Sequence, residues 1–168
     1  MTTMEVTAMP ARLMIINGPN VNYLGIREPH IYGYTTLETI EAECRAFAVE
    51  MDVELSFHQS NFEGAIVELI QSGRESTDAI IINPAAYSFT SIAIIDAMKI
   101  FEKPIIELHL SNIHMRDELH RNSKTPTAAT SVICGLGPYG YIVAMQAALQ
   151  MLGKLPSHLP GFFRPKFS

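Results

Sequence analysis

The sequence predicts an α/β domain: a five-stranded parallel sheet in the order 2-1-3-4-5, with helices on both faces. Three observations carry this. Short apolar runs alternate with segments of helical period along the chain. Residues 79–82 are fully apolar, and 104–110 carry Ile105, Ile106, Leu108 and Leu110, as strands covered on both faces do. Residues 53–59 instead alternate, with Val53, Leu55 and Phe57 apolar and Glu54, Ser56 and His58 polar, which marks a half-exposed edge strand.

In chain order, residues 12–16 form a buried strand closed by the turn residues Asn17-Gly18-Pro19-Asn20. Residues 17–35 are a long loop rich in Gly, Pro and Asn; loops of that length inside a compact domain are functional or disordered. Thr36 caps a helix whose Leu37, Ile40, Cys44, Phe47 and Met51 recur at helical spacing, which puts Cys44 in the core. The edge strand follows, then a helix over 62–71 and the apolar strand 79–82, broken by Asn83-Pro84. Residues 91–101 read as a helix apolar nearly all round. The strands 104–110 and 130–134 come next, and a helix over 138–152 closes the chain with Pro138 near its first turn. The order is flavodoxin-like, and in such sheets the ligand site lies beyond the carboxyl ends of the strands. Residues 17–20, 59–61, 83–91 and 109–116 supply polar groups there.

Composition narrows the function classes. The 168 residues fit one domain, 1–168, with a core of about 12–152 and an extension over 153–168. A 48% hydrophobic content suffices for a full core, and a net charge of −5 argues against nucleic acid or an anionic membrane as partner. No apolar run reaches membrane-spanning length, residues 1–11 do not read as a signal peptide, and the two cysteines, Cys44 and Cys134, make no disulfide framework. The expected compartment is the cytoplasm.

Two constellations point to acid–base chemistry. Glu107, His109 and Ser111 share one face of the fourth strand, with neighbours two apart roughly 6.6 Å from each other along the chain, so the carboxylate reaches the imidazole. An interior Glu and His need partners, and a carboxylate beside a histidine fixes its tautomer; the competing reading is a solvated edge with incidental charges. Arg27, Tyr32 and the glycines Gly25 and Gly33 share the long loop. A guanidinium that stabilises a phenolate makes a base of a tyrosine; the plainer alternative is a solvated loop with an aromatic anchor. Two other patterns are weaker. Gly135-Leu136-Gly137-Pro138-Tyr139-Gly140 matches a dinucleotide fingerprint but follows the last strand, so it reads as a tight turn that lets the closing helix pack closely. His109, His114 and Asp117 make a metal site conceivable but lack a ligand spacing that supports it, and no cysteine is near.

The segments 16–22, 24–29 and 31–33, then Asn83-Pro84-Ala85-Ala86-Tyr87, residues 107–116 and Gly135 to Tyr141 resemble, in order and over about 12–152, the type II 3-dehydroquinate dehydratases. The resemblance implies conversion of 3-dehydroquinate to 3-dehydroshikimate by anti elimination of water, without cofactor or metal, in a homo-oligomer, a dodecamer built from trimers. It implies Tyr32 as the base that takes the C2 proton, Arg27 as the group that activates it, and Asn20 as the holder of a water on the enolate. His109 is then the acid at the C1 hydroxyl, oriented by Glu107. Asn83, Leu110 and Ser111 correspond to the carboxylate-binding set, with Ala85, Ala86 and Arg116 as further substrate-binding positions and Asp96 lent by a neighbouring subunit.

Three positions depart from the family pattern: Phe89 where His is usual, His120 where Arg is usual, and Ile95 where Arg is usual. By the resemblance, Phe89 and His120 face ring hydroxyls, and a phenyl ring donates no hydrogen bond. Another cyclohexanone substrate is therefore an alternative, as is a flavodoxin-like binding module, although the first strand–helix turn lacks a Ser/Thr-rich phosphate loop. Residues 156–168 extend past the family's usual end, where Phe162, Phe163, Arg164 and Lys166 either pack on another subunit or are disordered.

Overall fold

The computed structural model describes residues 9–26 and 29–156, apart from the side chains of Pro29 and Tyr32. Strand β1 (Ala11–Asn17) leads through a 3₁₀ turn (Val21–Tyr23) and the helical turn α1 (Pro29–Tyr32) into α2 (Leu37–Glu50). Strand β2 (Val53–Gln59), α3 (Glu63–Ser76) and β3 (Ala79–Asn83) follow. Next come α4 (Tyr87–Thr90), α5 (Ile92–Phe101), β4 (Ile105–His109), β5 (Ser131–Cys134) and α6 (Gly140–Met151). The strands pair in parallel in the order β2-β1-β3-β4-β5, the flavodoxin-like order expected, with the alternating strand at an edge.

Alternation along the strands divides the core in two. Leu13, Ile15, Ile81, Ile106 and Leu108 face α2 and α6, where Ile40, Cys44, Tyr141, Ala144 and Ala148 receive them. Met14, Ile16, Ile80, Ile82 and Ile105 face α3 and α5, against Ile66, Ile70, Ile94, Met98 and Phe101. Helix starts follow side-chain chemistry: Thr36 Oγ1 accepts the Thr39 N–H at 3.2 Å, and Ser91 Oγ accepts the Ile94 N–H at 2.9 Å.

Two helices differ from the sequence expectation. Helix α3 runs to Ser76 rather than residue 71, because Gly73 supplies its packing face there: a Cβ on Gly73 would lie 3.4 Å from the Met14 Cε. A glycine is invisible to a search for apolar period. Pro138 belongs to a 3₁₀ turn (Gly137–Tyr139) that precedes α6. The segment between β4 and β5 holds three more 3₁₀ turns, Ile113–Met115, Glu118–His120 and Thr125–Ala128.

Candidate active site

The carboxyl ends of β1, β3 and β4 bring Asn17, Asn83 and His109 to one end of the sheet. The chain turns tightly there. The Gly18 N–H donates to the Asn83 carbonyl at 2.8 Å, and a Cβ on Gly18 would lie 2.5 Å from the Pro84 carbonyl oxygen, so only glycine fits. Ala85 takes φ 50, a left-handed conformation that costs about 1–2 kcal/mol for a residue with a Cβ. It is held by its own N–H, which donates to Asn83 Oδ1 at 3.3 Å, and by the Ser88 N–H, which donates to its carbonyl at 3.1 Å. Asn20 is also left-handed, φ 66, and its N–H donates to Asn61 Oδ1 at 2.9 Å.

Between these ends lies a cavity open to solvent. Asn20, Asn83, Ala85, Ala86, Phe89, His109, Leu110, Ser111, Arg116 and His120 all line it. Its acidic arm is buried. Glu107 lies on an interior strand with 0% exposure, and Oε1 is 2.7 Å from His109 Nε2. A carboxylate only accepts, so Nε2 carries the proton of this bond, and Nδ1 is the ring's other nitrogen. Ser123 Oγ donates to the same Oε1 at 3.2 Å, and Oε2 has no partner among the described residues.

The floor is a second buried chain of hydrogen bonds. Asn83 Nδ2 donates to the Tyr141 hydroxyl at 3.2 Å; that hydroxyl donates to Asn17 Oδ1 at 2.6 Å; Asn17 Nδ2 donates to the His58 carbonyl at 3.1 Å. Burial pushes the Tyr141 phenol well above its usual range, so it remains a donor. The chain links β3, α6, β1 and β2.

The far wall is aromatic. The Phe89 and His120 rings meet edge to face, centroids 5.5 Å apart and planes at 85°. His120 Nδ1 donates to Asp117 at 2.8 Å, a contact that holds the Asp117 carboxyl below the usual carboxylate range. Asp117 is therefore the partner of His120, and among the described residues no three His, Cys, Asp or Glu side chains gather to hold a metal. The glycine pattern is explained by packing: Gly135 and Gly137 have φ 87 and 57, and a Cβ on Gly140 would lie 2.8 Å from Leu108 Cδ1.

One expected residue stands apart from the cavity. Asp96 is exposed on α5, 3.8 Å from Lys99. Arg27 and the side chain of Tyr32 lie outside the described residues. Sequence reasoning missed three participants, Tyr141, Asp117 as a partner and Ser123. A tyrosine on a largely apolar helix is a signal for the first, since a buried hydroxyl needs a partner. The other two carry no periodic signal.

The model of the family "Dehydroquinase class II" matches residues 11–149. A catabolic 3-dehydroquinase of Verticillium alfalfae is 49% identical over 140 residues, covering 83% of this chain and 93% of that protein. A 3-dehydroquinate dehydratase of Aliarcobacter butzleri is 48% identical over 144 residues, covering 86% and 88%. The crystal structure of a type II dehydroquinase from Butyrivibrio crossotus superposes with a TM-score of 0.82 at 38% identity, over 84% of this chain and 99% of that one.

Proposed function

The chain belongs to the class II dehydroquinase family, and from that premise we propose that it dehydrates 3-dehydroquinate to 3-dehydroshikimate. The observation that carries the chemistry is the buried Glu107–His109 pair at the cavity. A proton beside a ketone is weakly acidic, so elimination needs a strong base, a hold on the enolate and an acid for the departing hydroxyl. Tyr32, activated by Arg27, takes the C2 proton; the electron pair moves onto the ketone oxygen. A water held by Asn20 stabilises that enolate. Collapse of the enolate expels the C1 hydroxyl as His109 protonates it, and water leaves from the face opposite the base. The roles of Tyr32 and Arg27 rest on the match to the family's motif. The role of His109 is supported by its carboxylate partner and its place in the cavity lining. General acid–base help of this kind contributes about 10²–10⁴-fold, and one oxyanion donor adds roughly 10²–10³. Asn83, Ala85, Ala86, Leu110, Ser111 and Arg116 bind the substrate, its carboxylate above all.

The whole chain works as one catalytic domain in the cytoplasm; no helix among the described residues is long and apolar enough to cross a membrane. It assembles as a homo-oligomer, a dodecamer of trimers. In support, Ile92, Asp96 and Ile100 share one exposed face of α5, with Ile92 59% exposed and Ile100 47% exposed. Asp96 on that face is the residue lent to a neighbouring site. Sedimentation of the purified protein as a monomer would overturn this part.

The decisive assay mixes purified protein with 3-dehydroquinate and follows the enone absorbance of the product. No signal at high enzyme concentration would sink the reading. A related cyclohexanone substrate is the second reading, favoured by the Phe89–His120 edge contact and the engagement of His120 with Asp117. Comparing turnover of dehydroquinate with that of its deoxy and amino analogues separates the two.

A further inference from the structure

Glu107 is wholly buried, yet its two oxygens keep different company. Oε1 receives two donors, His109 Nε2 at 2.7 Å and Ser123 Oγ at 3.2 Å, while Oε2 receives none among the described residues. Ser123 does not line the cavity. It sits half-buried in the segment that returns from the cavity rim to β5. That segment is pinned at this point. The Lys124 N–H donates to the Ser88 carbonyl at 2.7 Å, and the fully buried Thr125 opens the 3₁₀ turn that follows. The other acceptors of the Ser123 hydroxyl, the Ser88 carbonyl and Thr125 Oγ1, are both at 3.5 Å, so Glu107 is its nearest partner.

We propose that Ser123 is a positioning residue for proton transfer at His109, acting through Glu107. The inference rests on the dehydratase reading above. The terminal torsion of a glutamate is broad and soft, so one contact from the imidazole leaves the carboxylate free to swivel. A second donor on the same oxygen, from an anchored segment on the far side, fixes the carboxylate plane. The fixed carboxylate fixes the ring, which lines the cavity. Ser123 also supplies one of the few hydrogen bonds that a buried carboxylate requires.

The experiment compares Ser123→Ala with Ser123→Thr, which keeps the hydroxyl. For Ser123→Ala, kcat for 3-dehydroquinate is expected to fall about 10-fold with KM within about twofold of the unaltered protein, the loss of one hydrogen bond to a charged group. Ser123→Thr is expected to restore most of the rate. In the background of Glu107→Gln, Ser123→Ala should cost little more, since both act on one arrangement. The imidazole N–H proton of the His109–Glu107 bond, read by NMR, should move or broaden in Ser123→Ala and hold its position in Ser123→Thr. Unchanged kcat and an unmoved resonance in Ser123→Ala would overturn the proposal, as would full additivity with Glu107→Gln. If the unaltered protein turned over no dehydroquinate, the dehydratase reading would fall, and the resonance would still decide whether Ser123 positions the ring.

Discussion

Two buried polar chains stand at the same end of the sheet, on opposite faces, and they are finished differently. On the α2/α6 face, Asn83, Tyr141, Asn17 and the His58 carbonyl pass hydrogen bonds along four elements. On the other face, His109, Glu107 and Ser123 meet at one carboxylate oxygen, and the second oxygen has no partner among the described residues. The first chain is neutral and holds strand ends together. The second is ionisable, brings an imidazole to the cavity wall and tolerates an unpaired atom. Buried polar groups cost stability unless paired, so the incompletely paired carboxylate fits the catalytic role proposed for this arm.

That contrast can be broken by substitution. The largest expected effect is on the charged arm: His109→Ala should lower kcat by about 10²–10⁴-fold, measured with 3-dehydroquinate under saturation, while thermal unfolding shifts far less in proportion. Glu107→Gln should follow. It keeps the shape but removes the charge opposite the imidazole, and a fall in kcat of about 10²-fold is expected, with most of the stability retained. The neutral chain should show the reverse pattern. Tyr141→Phe leaves Asn17 and Asn83 short of a partner and should lower unfolding free energy by about 1–3 kcal/mol in denaturant titration, with a smaller effect on kcat than either change above. Equal effects of Tyr141→Phe and His109→Ala on kcat would erase the distinction between floor and arm.

The smallest effect belongs to an ion pair at the opposite end of the sheet. The Arg12 guanidinium lies 2.7 Å from Asp78 and holds its carboxyl below the usual range. A depressed folded value means that this pair stabilises the fold above the ordinary carboxyl value near ~4 and loses its contribution as pH falls through the lower folded value. Asp78→Asn should therefore cost at most about 1 kcal/mol at neutral pH and flatten the acid side of the stability curve, with kcat unchanged.

How much of this was legible beforehand differs by region. The alternation of residues 53–59 put β2 at the edge, and the apolar runs put β3 and β4 inside. The face shared by Glu107 and His109 followed from strand period alone, and the two side chains do touch. The reach of α3 to Ser76 was not legible, because its packing there depends on a glycine against Met14. Nor was the pairing of Asp117 with His120, which follows from the 3₁₀ turn Glu118–His120 rather than from any strand or helix period.

Local chemistry in the chain thus determined the layers, the strand order and the acid pair, since hydrophobic period and strand alternation act over a few neighbouring residues. The tertiary structure alone decided what meets that pair. Ser123 reaches Glu107 across 16 residues of irregular chain, and Tyr141 reaches Asn17 across 124. Such contacts are set by how loops close and helices dock, and no pattern of neighbouring residues encodes them.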